Sequence, residues 1–290
     1  MEDPDATPPA PQPQAGLNVT GGELQTRLVS GAAVALVALV MVYWGPRAFA
    51  VLTFAIAAVM SWEWGRIVRS QANDTATALH IMAVLAAVVL TALGMAGLGL
   101  ACVAIGAICV AVLCAGSGTA QLSGLGVIYT GLPVVALGWL RGDEPLGFLA
   151  VVFILVMVAV TDTAAYFAGR QIGGAKLWPR VSPNKTWAGL LGGVSGAALA
   201  AALFPALTGS GASLWLAPLG LVLGLVAQAG DLGESALKRH FNLKDASDLI
   251  PGHGGFMDRM DGVVTASIAA AAIALAIDAY APARALLYGS

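Results

Sequence analysis

Within residues 252–261 stand three glycines, His253, Asp258, Arg259 and Asp261, directly before an apolar run. Glycines tolerate positive φ and let a backbone approach a ligand closely. The stretch Pro251-Gly252-His253-Gly254-Gly255 is therefore expected to be a loop whose N–H groups can face an anion. Asp258 and Asp261 follow at i,i+3, on one side of the helix that begins there; favourable interaction with a helix N-terminus accounts for them equally. A second group precedes it in AGDLGESALKRHF. If a helix continues past Gly230, then Asp231, Ser235, Lys238 and Arg239 share a face at offsets of four, seven and eight. A carboxylate, a hydroxyl and two cations on one stripe can hold a metal-bound phosphate, the aspartate supplying a hard oxygen to Mg²⁺ and the cations taking phosphate oxygens. The same residues also read as an amphipathic helix end in which Glu234 and Lys238 form an i,i+4 pair. A third group lies in LWPRVSPNKTWAG. Ser182-Pro183-Asn184 is expected to turn, Lys185 to present a cation at the membrane face, and Thr186 to cap the next helix. Trp178 and Trp187 fit an interfacial belt.

The elements that must position these groups are set by composition. Hydrophobic residues make up 58% of the 290, charged residues 10%, and the mean hydropathy is +0.83. Soluble domains carry about 25% charge, so the chain reads as an all-α, polytopic integral membrane protein. Apolar runs of about 20 residues fall near 27–44, 46–65, 78–96, 98–115, 121–140, 146–168, 187–207, 213–230 and 262–280, about nine transmembrane helices. Gly192-x3-Gly196 and Gly220-x3-Gly224 permit close helix approach or reflect the ordinary glycine content of membrane helices. Cys102, Cys109 and Cys114 lie in a single apolar segment, which suits packing better than disulfides or zinc. Residues 1–22, with five prolines and little apolar content, are expected to be a disordered tail rather than a cleaved signal peptide. A net charge of −2 gives no basic field for nucleic acid.

Charge is concentrated. Residues 231–261 hold ten of the thirty charged side chains and residues 162–185 another five. Asp162 and Asp231 fall at or inside span ends, where ionisable groups are costly and usually functional. With the N-terminus in the cytoplasm, eleven of the fourteen Lys and Arg lie inside, as the positive-inside rule requires. Loops 169–186 and 231–261 then face the cytoplasm, where nucleotides and magnesium are available. The chain shows no GxxxxGK[ST] loop, strand–GxGxxG–helix unit, HExxH or GxSxG motif.

The run Ser235-x2-Lys238-Arg239-x4-Lys244-Asp245, then Pro251-x-His253-Gly254-Gly255-x2-Asp258-Arg259-x-Asp261, resembles the signature of the phosphatidate cytidylyltransferases, the CDP-diacylglycerol synthases. Asp162-x3-Tyr166 and Ser182-Pro183-x-Lys185-Thr186-Trp187 resemble that family's second block. Asn184 stands where the family often has Gly or Lys, and Ala188 where a Glu is common, so no acid–base duty is assigned near 188. The resemblance implies transfer of the cytidylyl group of CTP to phosphatidate in the bacterial plasma (inner) membrane, a Mg²⁺ cofactor with room for a second cation, and a homodimer. It divides the chain into the tail, helices over 23–145 that face lipid or a second subunit, and a catalytic region over 146–290. It implies Asp231 and Asp258 as metal ligands, with Asp162 and Asp261 behind them. Lys185, Lys238, Arg239 and Arg259 then go to phosphates, Lys238 and Arg239 being counted with the catalytic groups. Ser182, Thr186, Ser235, Lys244, His253, Gly254 and Gly255 are expected to bind substrate, His253 as a ligand-binding group rather than a base. Two rival readings are a CTP-dependent lipid-alcohol kinase, which would release CDP, and an ion-coupled transporter using Asp162 and Asp231.

Overall fold

The structure is a computed structural model that describes residues 36–209, 214–247, 249 and 254–290. Among the described residues eight helices are long and apolar enough to cross a membrane. They are α1 (Pro46–Arg69), α2 (Thr75–Ala92), α3 (Ala96–Leu113), α4 (Ala120–Arg141), α5 (Gly147–Gln171), α6 (Trp187–Thr208), α7 (Leu216–His240) and α8 (Met257–Ile277). Each coincides with one expected span. Half of the ninth, 27–44, falls outside the described residues, and 36–43 of the rest are helical; the expected tail, 1–22, also lies outside them. A short helix α9 (Pro282–Tyr288) follows α8 and packs on it.

The helices run past their apolar cores, and this redraws both expected loops. α7 continues to His240 and α8 begins at Met257, so the 231–261 loop shrinks to residues 241–256, and the helical settings expected for Asp231 and Lys238 and for Asp258 and Asp261 are present. The 169–186 loop contains a two-stranded antiparallel hairpin, β1 (Lys176–Trp178) and β2 (Ser182–Thr186), paired through Lys176–Thr186 and Trp178–Ser182. Ser182-Pro183-Asn184 is therefore strand, not turn; the chain reverses over 179–181. Thr186 caps α6 as expected, its Oγ1 accepting the Gly189 N–H at 3.0 Å.

α5 is central, packing against α6, α7 and α8. Its Phe153, Ile154 and Met157 are fully buried in one core with Leu216, Leu219, Leu223 and Leu286. Small residues let α5, α6 and α7 close on one another: a methyl at Gly196 would stand 2.7 Å from the Ala164 Cβ, and one at Gly224 3.0 Å from that of Ala197. Both Gly-x3-Gly pairs thus lie at helix contacts, the usual basis of helix association without a hydrophobic driving force. Large apolar side chains such as Ile105, Ile108, Leu191 and Leu199 point outward, as lipid-facing surface should. The three cysteines are free.

Candidate functional site

At the end of the bundle where α5 and α7 finish and α6 and α8 begin, a cleft of about 620 Å³ opens. Five acidic side chains (Asp162, Asp231, Glu234, Asp258, Asp261) and four basic ones (Arg170, Lys185, Lys238, Arg259) line it, with Tyr166, Asn184, Thr186 and Gln228. Nearly balanced charge of this density means a polyanion alone would meet repulsion as well as attraction. It enters more readily with a cation of its own.

Each wall has a local cause. β2 ends against α6, which carries Lys185 across to α7, its Nζ 2.6 Å from Asp231 Oδ2. This is a contact of charges rather than an aligned hydrogen bond. Asp231 Oδ1 receives only a long 3.5 Å bond from the Ser235 hydroxyl, one helical turn on. Asp162, a third of the way from the end of α5, faces Asp231 and Asp261 closely enough for their charges to act on one another. Arg170 donates to the Tyr166 hydroxyl at 2.6 Å.

Deeper in, Lys238 is shared by two carboxylates, Glu234 at 2.7 Å and Asp258 in a short contact. Glu234 and Lys238 are both buried, and Glu234 Oε1 has no hydrogen-bond partner. Asp258 uses both oxygens: Oδ1 takes Lys238, while Oδ2 accepts the N–H groups of Ala246 at 3.0 Å and Gly255 at 2.8 Å. Gly254, at φ +78°, makes the bend that turns these N–H groups inward.

The structure brings together Asp162, Lys185, Thr186, Asp231, Lys238, Asp258, Arg259 and Asp261. It places others elsewhere. Arg239 turns to the carbonyls of Val181 (3.4 Å) and Leu243 (3.0 Å), tying the hairpin to the end of α7. Ser182 sits in the hairpin outside the cleft, and Lys244 is exposed on the 241–247 segment. The Gly255 N–H, expected to face an anion, is already bonded to Asp258. His253 lies outside the described residues. Arg170, Gln228, Glu234 and Glu63 are polar groups to which sequence reading gave no place in the site. Glu234 was visible only as half of an i,i+4 pair, and Glu63 carried no signal because its partners lie nearly 200 residues away.

The donor set fits a magnesium ion. Among the described residues no three His, Cys, Asp or Glu side chains converge tightly enough to hold a metal by themselves. Magnesium is usually bound through one or two carboxylates, completed by water and substrate phosphates, and Asp231 Oδ1, beside Asp162 and Asp261, offers hard oxygen of that kind.

Fold and site thus define a polytopic membrane protein with a mixed-charge cleft at one end of its bundle. Residues 25–277 match the model of the cytidylyltransferase family, and the chain belongs to that family. It is 35% identical over 251 residues to the phosphatidate cytidylyltransferase of Brucella suis biovar 1 (strain 1330), covering 84% of this chain and 90% of the relative. Similarity to the phosphatidate cytidylyltransferase of Bacillus subtilis (strain 168) is 38% over 138 residues, 47% of this chain and 51% of the other. For that of Staphylococcus epidermidis (strain ATCC 12228 / FDA PCI 1200) it is 42% over 116 residues, 40% and 45%.

Proposed function

We propose that the cleft between α5, α7 and α8 is where this chain transfers the cytidylyl group of CTP to phosphatidate, giving CDP-diacylglycerol and pyrophosphate. The activity itself goes with family membership and with a relative of that activity aligned over 84% of the chain. One observation carries the placing of it: the charged residues of two distant sequence blocks, 162–186 and 231–261, line a single cleft at the end of apolar helices. There a water-soluble nucleotide can meet a lipid headgroup. The same end carries most of the Lys and Arg, so we place it in the cytoplasm of a bacterial cell, with the chain in the plasma membrane. Homodimer formation rests on the resemblance alone.

In the reaction a phosphate oxygen of phosphatidate attacks the α-phosphorus of CTP, the bond to the β-phosphate oxygen breaks, and pyrophosphate leaves. The lipid phosphate is already ionised near neutral pH, so no side chain need act as a base, and His253 is assigned to phosphate binding. Positioning and charge neutralisation do most of such work. Lys185 and Arg259, at the mouth, are placed to draw in phosphate oxygens. Lys238, fixed between Glu234 and Asp258, presents a cation that cannot swing away. Asp231 and Asp258 would hold Mg²⁺, with Asp162 and Asp261 behind them; when bound, the ion neutralises charge on the triphosphate and the leaving pyrophosphate. Each of those two aspartates also carries a lysine, which keeps the carboxylates in place. Of the remaining expected residues, Thr186 lines the cleft, Ser235 bonds Asp231, and Gly254 and Gly255 form the turn that holds Asp258, while Ser182, Arg239 and Lys244 lie outside it and take no direct part.

The test is product identification. Purified protein given CTP, a short-chain phosphatidate and Mg²⁺ should yield CDP-lipid and pyrophosphate by mass spectrometry. CDP with a phosphorylated lipid alcohol would instead indicate a kinase. Asp231→Asn and Asp258→Asn should each lower kcat by about two decades or more, the scale of lost charge stabilisation in transfer sites. Near-native turnover in both would refute the metal assignment.

A further inference from the structure

Glu63 is fully buried near the end of α1, in the N-terminal half of the molecule, of whose described residues none lines the cleft. Three donors converge on its carboxylate. Oε1 accepts the Ser247 hydroxyl and the Phe256 N–H at 2.9 Å, and Oε2 accepts the Met257 N–H at 2.8 Å. Phe256 and Met257 open α8, so the carboxylate sits on the unsatisfied N–H groups and positive dipole end of the helix that carries Asp258 and Asp261. Around it Met60, Trp64, Ile67 and Val68 of α1 form one apolar cluster with Ala246, Met257 and Val264.

Gly255 explains itself in the same place. A methyl there would stand 2.5 Å from Glu63 Oε1, 2.9 Å from the Ala246 Cβ and 3.0 Å from the Ser247 nitrogen. The glycine leaves room for an internal carboxylate, and the N–H groups around it are consumed internally. Glu63 takes those of residues 256 and 257; Asp258 takes those of 246 and 255. Two carboxylates thus hold one turn from opposite sides, and the second of them carries Lys238.

We infer that Glu63 is a positioning residue for cytidylyl transfer: it fixes the turn before α8 and, through that turn, the carboxylate of Asp258 and the ammonium of Lys238. The inference rests on the assignment of the cleft as the transfer site. An acceptor-only group is required, because all three partners are donors. A glutamine would set an NH₂ against an N–H or O–H and leave a buried donor unsatisfied. An aspartate keeps both acceptor oxygens on a stem shorter by one methylene.

The experiment compares wild type, Glu63→Gln, Glu63→Asp and Ser247→Ala in detergent, each checked for monodispersity and thermal unfolding, with kcat, KM for phosphatidate and the Mg²⁺ concentration for half-maximal rate. Wild type that forms no CDP-lipid would overturn the transfer-site reading itself. With wild type active, Glu63→Gln is expected to lower kcat by about 10²-fold, the scale of a misplacement of about 1 Å. It should also raise the Mg²⁺ requirement and leave KM for phosphatidate within about twofold, and Glu63→Asp should recover at least tenfold of the lost rate. A folded Glu63→Gln enzyme within threefold of wild type would overturn the inference, and so would an aspartate no better than the glutamine. Should Glu63→Gln fail to fold, Ser247→Ala decides: a several-fold loss in kcat with the raised Mg²⁺ requirement supports the role, and wild-type values for both overturn it.

Discussion

The two lysines of the cleft look alike in sequence and differ in surroundings. The Lys185–Asp231 pair is partly open, with side chains 19% and 33% exposed; Lys238 is 11% exposed between Glu234 at 1% and Asp258 at 11%. The Lys185 Nζ is itself out of contact with water, but Asp231 is a third exposed, so water can solvate the carboxylate when the lysine is removed. Removing one partner from a buried set leaves uncompensated charge and costs about 3–5 kcal/mol. Lys185→Met should therefore cost less thermal stability than Lys238→Met while losing turnover. Lys238→Met should lose both, its unfolding temperature falling by several degrees in the same detergent. Equal stability of the two variants would show that Lys238 is not the structural centre of the site. Asp231, Lys238, Asp258 and Asp261 were legible from helical spacing, Asp162 from its place inside a span end, Lys185 from its position before the next helix, and Arg259 from the family resemblance. Which of them also hold the structure together was not, since that depends on burial. Arg239 shows the limit: it shares a stripe with Asp231 and Lys238, yet its guanidinium is taken by two backbone carbonyls outside the cleft.

At the scale of elements, hydropathy found the apolar middles of eight helices and stopped where charge began. α1, α5 and α7 run past their expected spans by four, three and ten residues, through polar sequence. The hairpin was missed because strands of three and five residues with a proline in one of them carry no period. The join between α1 and α2 shows how polar ends are held. Arg69 donates to both oxygens of Asp74, at 2.7 and 3.1 Å, and Asp74 caps α2 by accepting the Thr77 N–H at 2.8 Å. Burial acts to raise the Asp74 pKa, but the hydrogen bonds from Arg69 and Thr77 and the Arg69 charge prevail and hold it at about 2. A carboxyl depressed on folding contributes stability in full above its unfolded value of 3.8, and loses it as pH falls through the folded value. Asp74→Asn keeps a good cap and removes the charge. The variant should unfold at a lower temperature than wild type at pH 5, and the difference should close between pH 4 and pH 2. A gap that stayed constant over that range would mean that the ionised carboxylate contributes nothing.

For the whole molecule, the question is which side of the membrane the cleft faces. The ends of α1, α5 and α7 and the starts of α6 and α8 lie at one end of the bundle, and that end carries Arg66, Arg69, Arg170, Lys176, Arg180, Lys185, Lys238, Arg239, Lys244 and Arg259. The opposite end carries Arg47, Arg141 and Arg284, of which Arg141 is buried, its Nε donating to the Val42 carbonyl at 2.8 Å and its Nη1 paired with Glu144. The cleft end thus carries ten of these described cations against three at the other, and retention of Lys and Arg in the cytoplasm favours that end inside. CTP and Mg²⁺ require the same side. Cysteine accessibility checks it: with Cys102, Cys109 and Cys114 replaced, single cysteines are placed at Arg180, in the hairpin, and at Tyr280, exposed between α8 and α9. A membrane-impermeant maleimide should label position 280 in intact spheroplasts and position 180 only in inverted vesicles or after permeabilisation. The reverse pattern would put the cleft where nucleotide is scarce and refute the proposed topology.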